Sequence, residues 1–209
     1  MAEFGFTPMS FSEIDRRAWI RGEYDLLTGS RASSYLRRVL PKKSEKRRKR
    51  RATDRFFGEA YVSAQVTHKF GYYGSFRWLT NSHFLSRPPA ADESLTDREE
   101  LHKALWDHFG EAELTALHEK GRRVAEGTGE KPAPPDLWLI DEAENHRFIE
   151  VKLPGDSIRL CQLAGLAVIA ASLPSRTGRR VSVEVVDLYP NGLEPNKIEA
   201  FQGFLRQAG

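Results

Sequence analysis

Two short apolar runs late in the chain, Leu137-Trp138-Leu139-Ile140 and Phe148-Ile149-Glu150-Val151, flank a polar patch from Asp141 to Asn145. This pattern predicts a β-hairpin. Side chains alternate along a strand, so Ile149 and Val151 fall on one face while Glu150 and Lys152 fall on the other. Upstream, Ser10 to Leu27 reads as a helix opened by a capping pattern at Ser10-Phe11-Ser12-Glu13, with Ile14, Trp19, Tyr24 and Leu27 as packing residues. Ala32 to Leu40 predicts a second, shorter helix. Asp54 to about Phe70 predicts a third, broken by Gly71-Tyr72-Tyr73-Gly74 and followed by a strand from Ser75 to Leu85.

Leu101, Leu105, Phe109, Leu114 and Leu117 recur at helical spacing between Thr96 and Val124 and predict a helical hairpin inserted over one sheet edge. His102, His108 and His118 within it lack the i, i+4 spacing of helical zinc ligands and are read as surface or packing residues. A loop from Glu126 to Pro134 leads to Pro135. After the hairpin come a strongly apolar helix from Ser157 to Ser172, a turn from Pro174 to Arg180, a strand from Val181 to Leu188 and a short helix from Ile198 to Gln207. The order helix, strand, strand, strand, helix, strand predicts an α/β fold with a mixed central sheet flanked by helices.

Composition adds limits. The 209 residues suffice for one sizeable domain with decorations, and 40% are hydrophobic, enough for a real core. One cysteine, Cys161, rules out a disulfide framework and is read as a buried small apolar residue. Met1 to Phe6 holds no basic stretch followed by an apolar one, and no run approaches the ~18 apolar residues of a membrane span. A cytoplasmic protein with no membrane partner is expected, although an exported effector or a nuclear protein would read the same way.

Charge is uneven. Between Arg37 and Arg51 stand ten Lys or Arg and one Glu, a net of +9 in a chain of net +3, which leaves −6 elsewhere. A mobile cationic arm on an acidic body is a means of capturing a polyanion by counterion release. Lys42, Lys43, Lys46, Arg47, Arg48, Lys49, Arg50 and Arg51 are therefore candidate DNA contacts. The bland reading is a solvated, disordered linker or a nuclear address.

Chemistry concentrates at the hairpin. Asp136 precedes the first strand and Glu150 follows 14 residues later, with Lys152 two beyond it. Two carboxylates converging on one point repel unless a divalent cation lies between them, and hard oxygen donors suit Mg²⁺ or Mn²⁺. Glu-x-Lys by itself usually marks a solvated cross-strand pair. The continuation Leu153-Pro154-Gly155-Asp156, with Gln162 early in the next helix, makes the whole more specific. The Pro-Asp, Glu-Val-Lys, Pro-x-Asp and Gln elements, in this order and spacing, resemble the virus-type replication-repair nuclease (VRR-NUC) branch of the PD-(D/E)xK superfamily, over roughly Glu59 to Leu188.

That resemblance implies a restriction-endonuclease-like core and a Mg²⁺- or Mn²⁺-dependent deoxyribonuclease for DNA repair, recombination or phage DNA processing. It makes Asp136 and Glu150 metal ligands, Lys152 the catalytic lysine, Gln162 a supporting residue and Glu59 the upstream metal ligand. Leu153 stands where the family has a glycine after the lysine. Ser157-Ile158-Arg159 stands where it has Arg-Leu-Ser, so Arg159 is read as a replacement basic contact to nucleic acid. The implied organisation is a helical N-terminal extension with the basic arm (1–52), a nuclease core (53–190) carrying the insertion at about 96–125, and a C-terminal helix (191–209). A DNA-degrading toxin of the same fold and a non-cleaving DNA-binding module are the alternatives. Junction cutting would require two centres, hence a homodimer or a protein partner.

Overall fold

A computed structural model describes residues 3–28, 30–49, 53–74, 78–80, 95–173 and 179–193. These build a five-stranded mixed sheet with helices on both faces. The sheet order is β1 (Glu3–Phe11), β5 (Val181–Pro190), β4 (His146–Lys152), β3 (Leu137–Ile140) and β2 (Phe70–Tyr73). β2, β3 and β4 run antiparallel in turn, whereas β4, β5 and β1 run parallel.

The predicted hairpin forms with Leu137 opposite Ile149 and Ile140 opposite His146. Its turn closes because Asp141 Oδ1 accepts from the amides of Ala143 and Asn145, both at 2.9 Å. The helix α5 (Leu160–Ser172) makes the crossover that brings β5 parallel to β4. All four β3 residues are buried, as expected of a strand covered on both faces.

One face packs against α1 (Glu13–Arg21), α2 (Ser34–Arg48) and α3 (Phe57–Gln65), with Trp19, Leu36, Leu40, Phe57, Ile149 and Val151 in its core. The other packs against α4 (Asp97–Thr128) and α5, around Trp78, Leu105, Leu117, Trp138, Phe148 and Ile169. The insertion opens on a capping box between Thr96 and Glu99. It breaks at Gly110, whose φ of 77° and ψ of 175° leave the helix, so two helical segments meet at a kink. They extend to Thr128, past the predicted loop start. His102 and His108 pack against Trp106 and Trp138. Cys161 is half-buried rather than buried.

Four expectations need correction. Residues 3–11 form a strand, and the first helix starts only after it: Ser12, not Ser10, is the cap, accepting from the amides of Ile14 and Asp15. Ile14 is 77% exposed and lies outside the core. Gly5 and Pro8 disguise β1 in the sequence, yet both are tolerated on an edge strand, where a missing N–H faces outward. Phe70–Tyr73 is a strand rather than a helix end and its break, because pairing with Leu137–Ile140 supplies the hydrogen bonds the short segment lacks alone. Trp78–Thr80 forms a 3₁₀ turn with Trp78 buried, so the predicted strand is absent there. The remainder of that strand lies outside the described residues, as do the C-terminal helix and most of the 174–180 turn.

The fourth correction concerns the basic segment. The short helix predicted to stop at Leu40 continues through Pro41 to Arg48, so the arm is ordered helix over most of its length. Pro41 removes one helical hydrogen bond, a cost that burial of Leu36, Val39 and Leu40 offsets. Anchors stand along the whole helix: Ser33 caps Leu36 and donates to the Gly71 carbonyl, Arg38 pairs with Glu100 at 2.8 Å, and Arg48 donates to the Arg21 carbonyl at 3.3 Å. Among the described residues, no helix is long and apolar enough to cross a membrane.

Candidate active site

Strand alternation sends Glu150 and Lys152 to the face covered by α5, and both are buried, at 1% and 6% exposure. Lys152 Nζ donates to Glu150 Oε1 at 2.8 Å and to Gln162 Oε1 at 3.0 Å. Gln162, in the first turn of α5, donates its amide to the same Glu150 oxygen, and its own oxygen also takes the Arg159 amide at 3.0 Å. The three side chains form a closed triangle that fixes the lysine.

Asp136 lies one residue before β3, and its Oδ2 accepts from the Val151 amide at 2.9 Å. The Asp136 and Glu150 carboxyls are close enough to share a hydrogen bond. Glu59 projects from the first turn of α3, half-buried, and feels the Asp136 charge directly. The structure thus brings Glu59, Asp136, Glu150, Lys152 and Gln162 into one place.

Two glycines hold the Pro-Asp segment there. A Cβ on Gly165 of α5 would collide with the Ala133 carbonyl, and one on Gly74 would collide with the Pro135 carbonyl. Ala133 donates to the Cys161 carbonyl at 2.8 Å, and Gly74 to the Asp136 carbonyl at 2.9 Å. The segment before β3 is therefore clamped between α5 and the end of β2.

Electrostatically the site carries surplus negative charge. Burial first, and repulsion from Asp136 second, push both Glu59 and Glu150 up to about 8. Arg55 partly offsets the effect at Glu59, as Lys152 does at Glu150. Asp136 is also raised by burial, against the Val151 amide and Lys152. Without a cation, protons must settle among these carboxyls near neutral pH.

Among the described residues, no three His, Cys, Asp or Glu side chains stand in a ready coordination cage. Glu150 Oε1 is taken by Lys152 and Gln162, and Asp136 Oδ2 by a backbone amide. The donor set still suits a hard divalent cation: it is all oxygen, and the repulsion that raises its proton affinity is what a metal would relieve.

Among the candidate DNA contacts, Lys42, Lys46, Arg47 and Arg48 are exposed on α2, and Lys49 is its exposed C-cap. Lys43 is half-buried with Nζ 5.3 Å from the Tyr73 ring centre. Arg50 and Arg51 lie outside the described residues. Arg159 is exposed at the start of α5, next to the triangle.

Three neighbours were not assigned to this site in sequence. Asp187, 4% exposed, is the register partner of Lys152 on β5, and strand alternation from Glu150 was the available signal once β5 was paired. Arg55 and Tyr73 feel the carboxylates through space, a proximity no local pattern announces. No family model, curated protein or solved structure matches this chain.

Proposed function

We propose that this chain is a divalent-metal-dependent nuclease of the PD-(D/E)xK type, VRR-NUC branch, hydrolysing DNA phosphodiester bonds. The observation that carries the reading is the convergence of Asp136 and Glu150 on a buried lysine pinned by Gln162, with Glu59 beside Asp136. The element order α3, β2, β3, β4, α5, β5, with α4 inserted between β2 and β3, is in keeping with a restriction-endonuclease-like core.

Glu59, Asp136 and Glu150 would hold Mg²⁺ or Mn²⁺. When bound, such an ion polarises a phosphoryl oxygen and lowers the pKa of water. Lys152 places a cationic proton donor at the same point, where it stabilises charge growing on a phosphate oxygen or orients the attacking water. Gln162 holds Nζ in place, so geometry is set before substrate arrives. A non-cleaving DNA-binding module would use the basic α2 equally well, but mutually repelling carboxylates gathered at a buried Glu150 serve it no purpose.

The test uses labelled duplex, flap, four-way junction and single-stranded DNA with Mg²⁺, Mn²⁺ or EDTA, beside Lys152→Ala and Glu150→Ala. Metal-dependent cleavage that both variants abolish is the expected result. Cleavage by Glu150→Ala at the parental rate would refute the site, and binding without cleavage in every metal would favour the binding module.

A further inference from the structure

Beside the carboxylates stand two aromatic rings, each carrying a cation. Phe56 and Tyr73 meet edge to face at 5.5 Å between ring centres. The Arg55 guanidinium lies 5.4 Å from the Phe56 centre and Lys43 Nζ lies 5.3 Å from the Tyr73 centre. Tyr73 is within electrostatic reach of Glu59, Asp136 and Glu150, and Arg55 of Glu59. Arg55 therefore borders the candidate active site, and Lys43, which also feels Asp97, is joined to it through the Tyr73 ring.

Their placement is maintained at a cost. Phe56 takes the left-handed conformation, with φ of 68° and ψ of 3°, while being 7% exposed. A non-glycine residue held there costs of order 1 kcal/mol or more and persists only where its surroundings enforce it. The enforcement is visible: Asp54 is bound by Arg16 Nε at 3.0 Å, Phe57 N–H donates to the Asp54 carbonyl at 2.8 Å, and Trp19 Nε1 donates to the Arg55 carbonyl at 3.2 Å. The turn buries Phe56, exposes Arg55 and starts the helix that delivers Glu59. Lys43 comes from α2, a helix anchored along its length, with Lys42, Lys46, Arg47 and Lys49 exposed around it.

A site of converging carboxylates repels a polyanion, so a strand must be gripped next to the reacting phosphate by cations that do not collapse onto the carboxylates. Cations seated on aromatic faces meet that need, because the ring helps to hold the charge in place while Arg55 offsets Glu59 only in part. Resting on the nuclease reading above, we propose that Lys43 and Arg55 are a phosphate-gripping pair at the mouth of the site, binding the DNA backbone beside the phosphate to be cut. They would be the point where the basic surface of α2 joins the reaction centre.

The test is fluorescence anisotropy of the full chain with a labelled DNA duplex in EDTA, as a function of salt. Lys43→Gln and Arg55→Gln should each lower the slope of log affinity against log salt by about 0.9, weakening binding roughly tenfold at about 50 mM salt, with both effects combining in the double variant. Arg122→Gln, on exposed α4 and paired with Glu126, should leave the slope as in the parent. Lys43→Arg, which keeps the charge, should restore it. Parental slopes for both Lys43→Gln and Arg55→Gln would overturn the proposal while leaving the nuclease reading intact. A parent chain that binds no DNA even at low salt would refute the nuclease reading, and this proposal with it.

Discussion

Replacing Glu59 by glutamine removes one charge from the carboxylate group while keeping the side chain's shape. Glu59 moves from 4.5 to about 8 on folding, chiefly through burial and then through Asp136. If the whole displacement fell on one residue, its ionised form would cost about 5 kcal/mol, at about 1.4 kcal/mol for each tenfold change in proton affinity. The repulsion is shared with Asp136, which Glu150 also repels, so neutralising Glu59 should return only part, about 2 kcal/mol at pH 8. At roughly 2–4 °C per kcal/mol for a chain of this size, Tm should rise by about 5 °C. Melting curves in EDTA at pH 5 and pH 8 supply the assay. The gain should shrink well below 1 kcal/mol at pH 5, where the folded parent already carries the proton. With Mn²⁺ added, the parent should gain more than Glu59→Gln. A variant no more stable than the parent at pH 8, or equally stabilised at both pH values, would refute the account of a charge-crowded site.

The parent's own pH dependence follows from the same groups. Folded Glu59 and Glu150, raised to about 8 from 4.5, hold protons that the unfolded chain has released, so stability should fall as pH rises between about 4.5 and 8. A urea series in EDTA measures it, and a flat or rising curve over that window would contradict the raised values. Lys152→Met removes the only cation bonded to buried Glu150 among the described contacts, and should cost about 2 kcal/mol at pH 8 and less at pH 5, where Glu150 is neutral, besides abolishing cleavage. Gly165→Ala should destabilise by about 2 kcal/mol and weaken Mn²⁺ binding, because the new methyl pushes α5 off the Ala133 carbonyl and shifts the segment carrying Asp136. Calorimetric titration with Mn²⁺ checks the second effect.

The chemistry of the hairpin was legible locally because its rules are local. Period-two alternation puts Glu150 and Lys152 on one face, the Asp141–Asn145 turn sets the register, and Gln162 follows within the next helix. Covalent proximity keeps these groups together whatever the rest of the chain does. The basic segment's charge was equally plain, but not its order: Pro41 and the run of like charges read as a helix end and a loose arm. Contacts to residues distant in sequence, Gly71, Glu100 and Arg21, hold it as helix.

Tertiary pairing alone decided the rest. β1 holds a glycine and a proline, and its strand character comes from β5, more than 170 residues away. β2 is four residues long and is a strand only because β3 lies beside it. Glu59 reaches Asp136 because α3 crosses the sheet face at one position, and Gly74 and Gly165 matter because two backbones approach too closely for a methyl group. The amino-acid order by itself determined which side chains the hairpin displays and how they alternate, since that depends on backbone geometry over a few residues. Which distant carboxylate and which cations surround them is settled by packing, where the free energy of burying the two cores outweighs local preference.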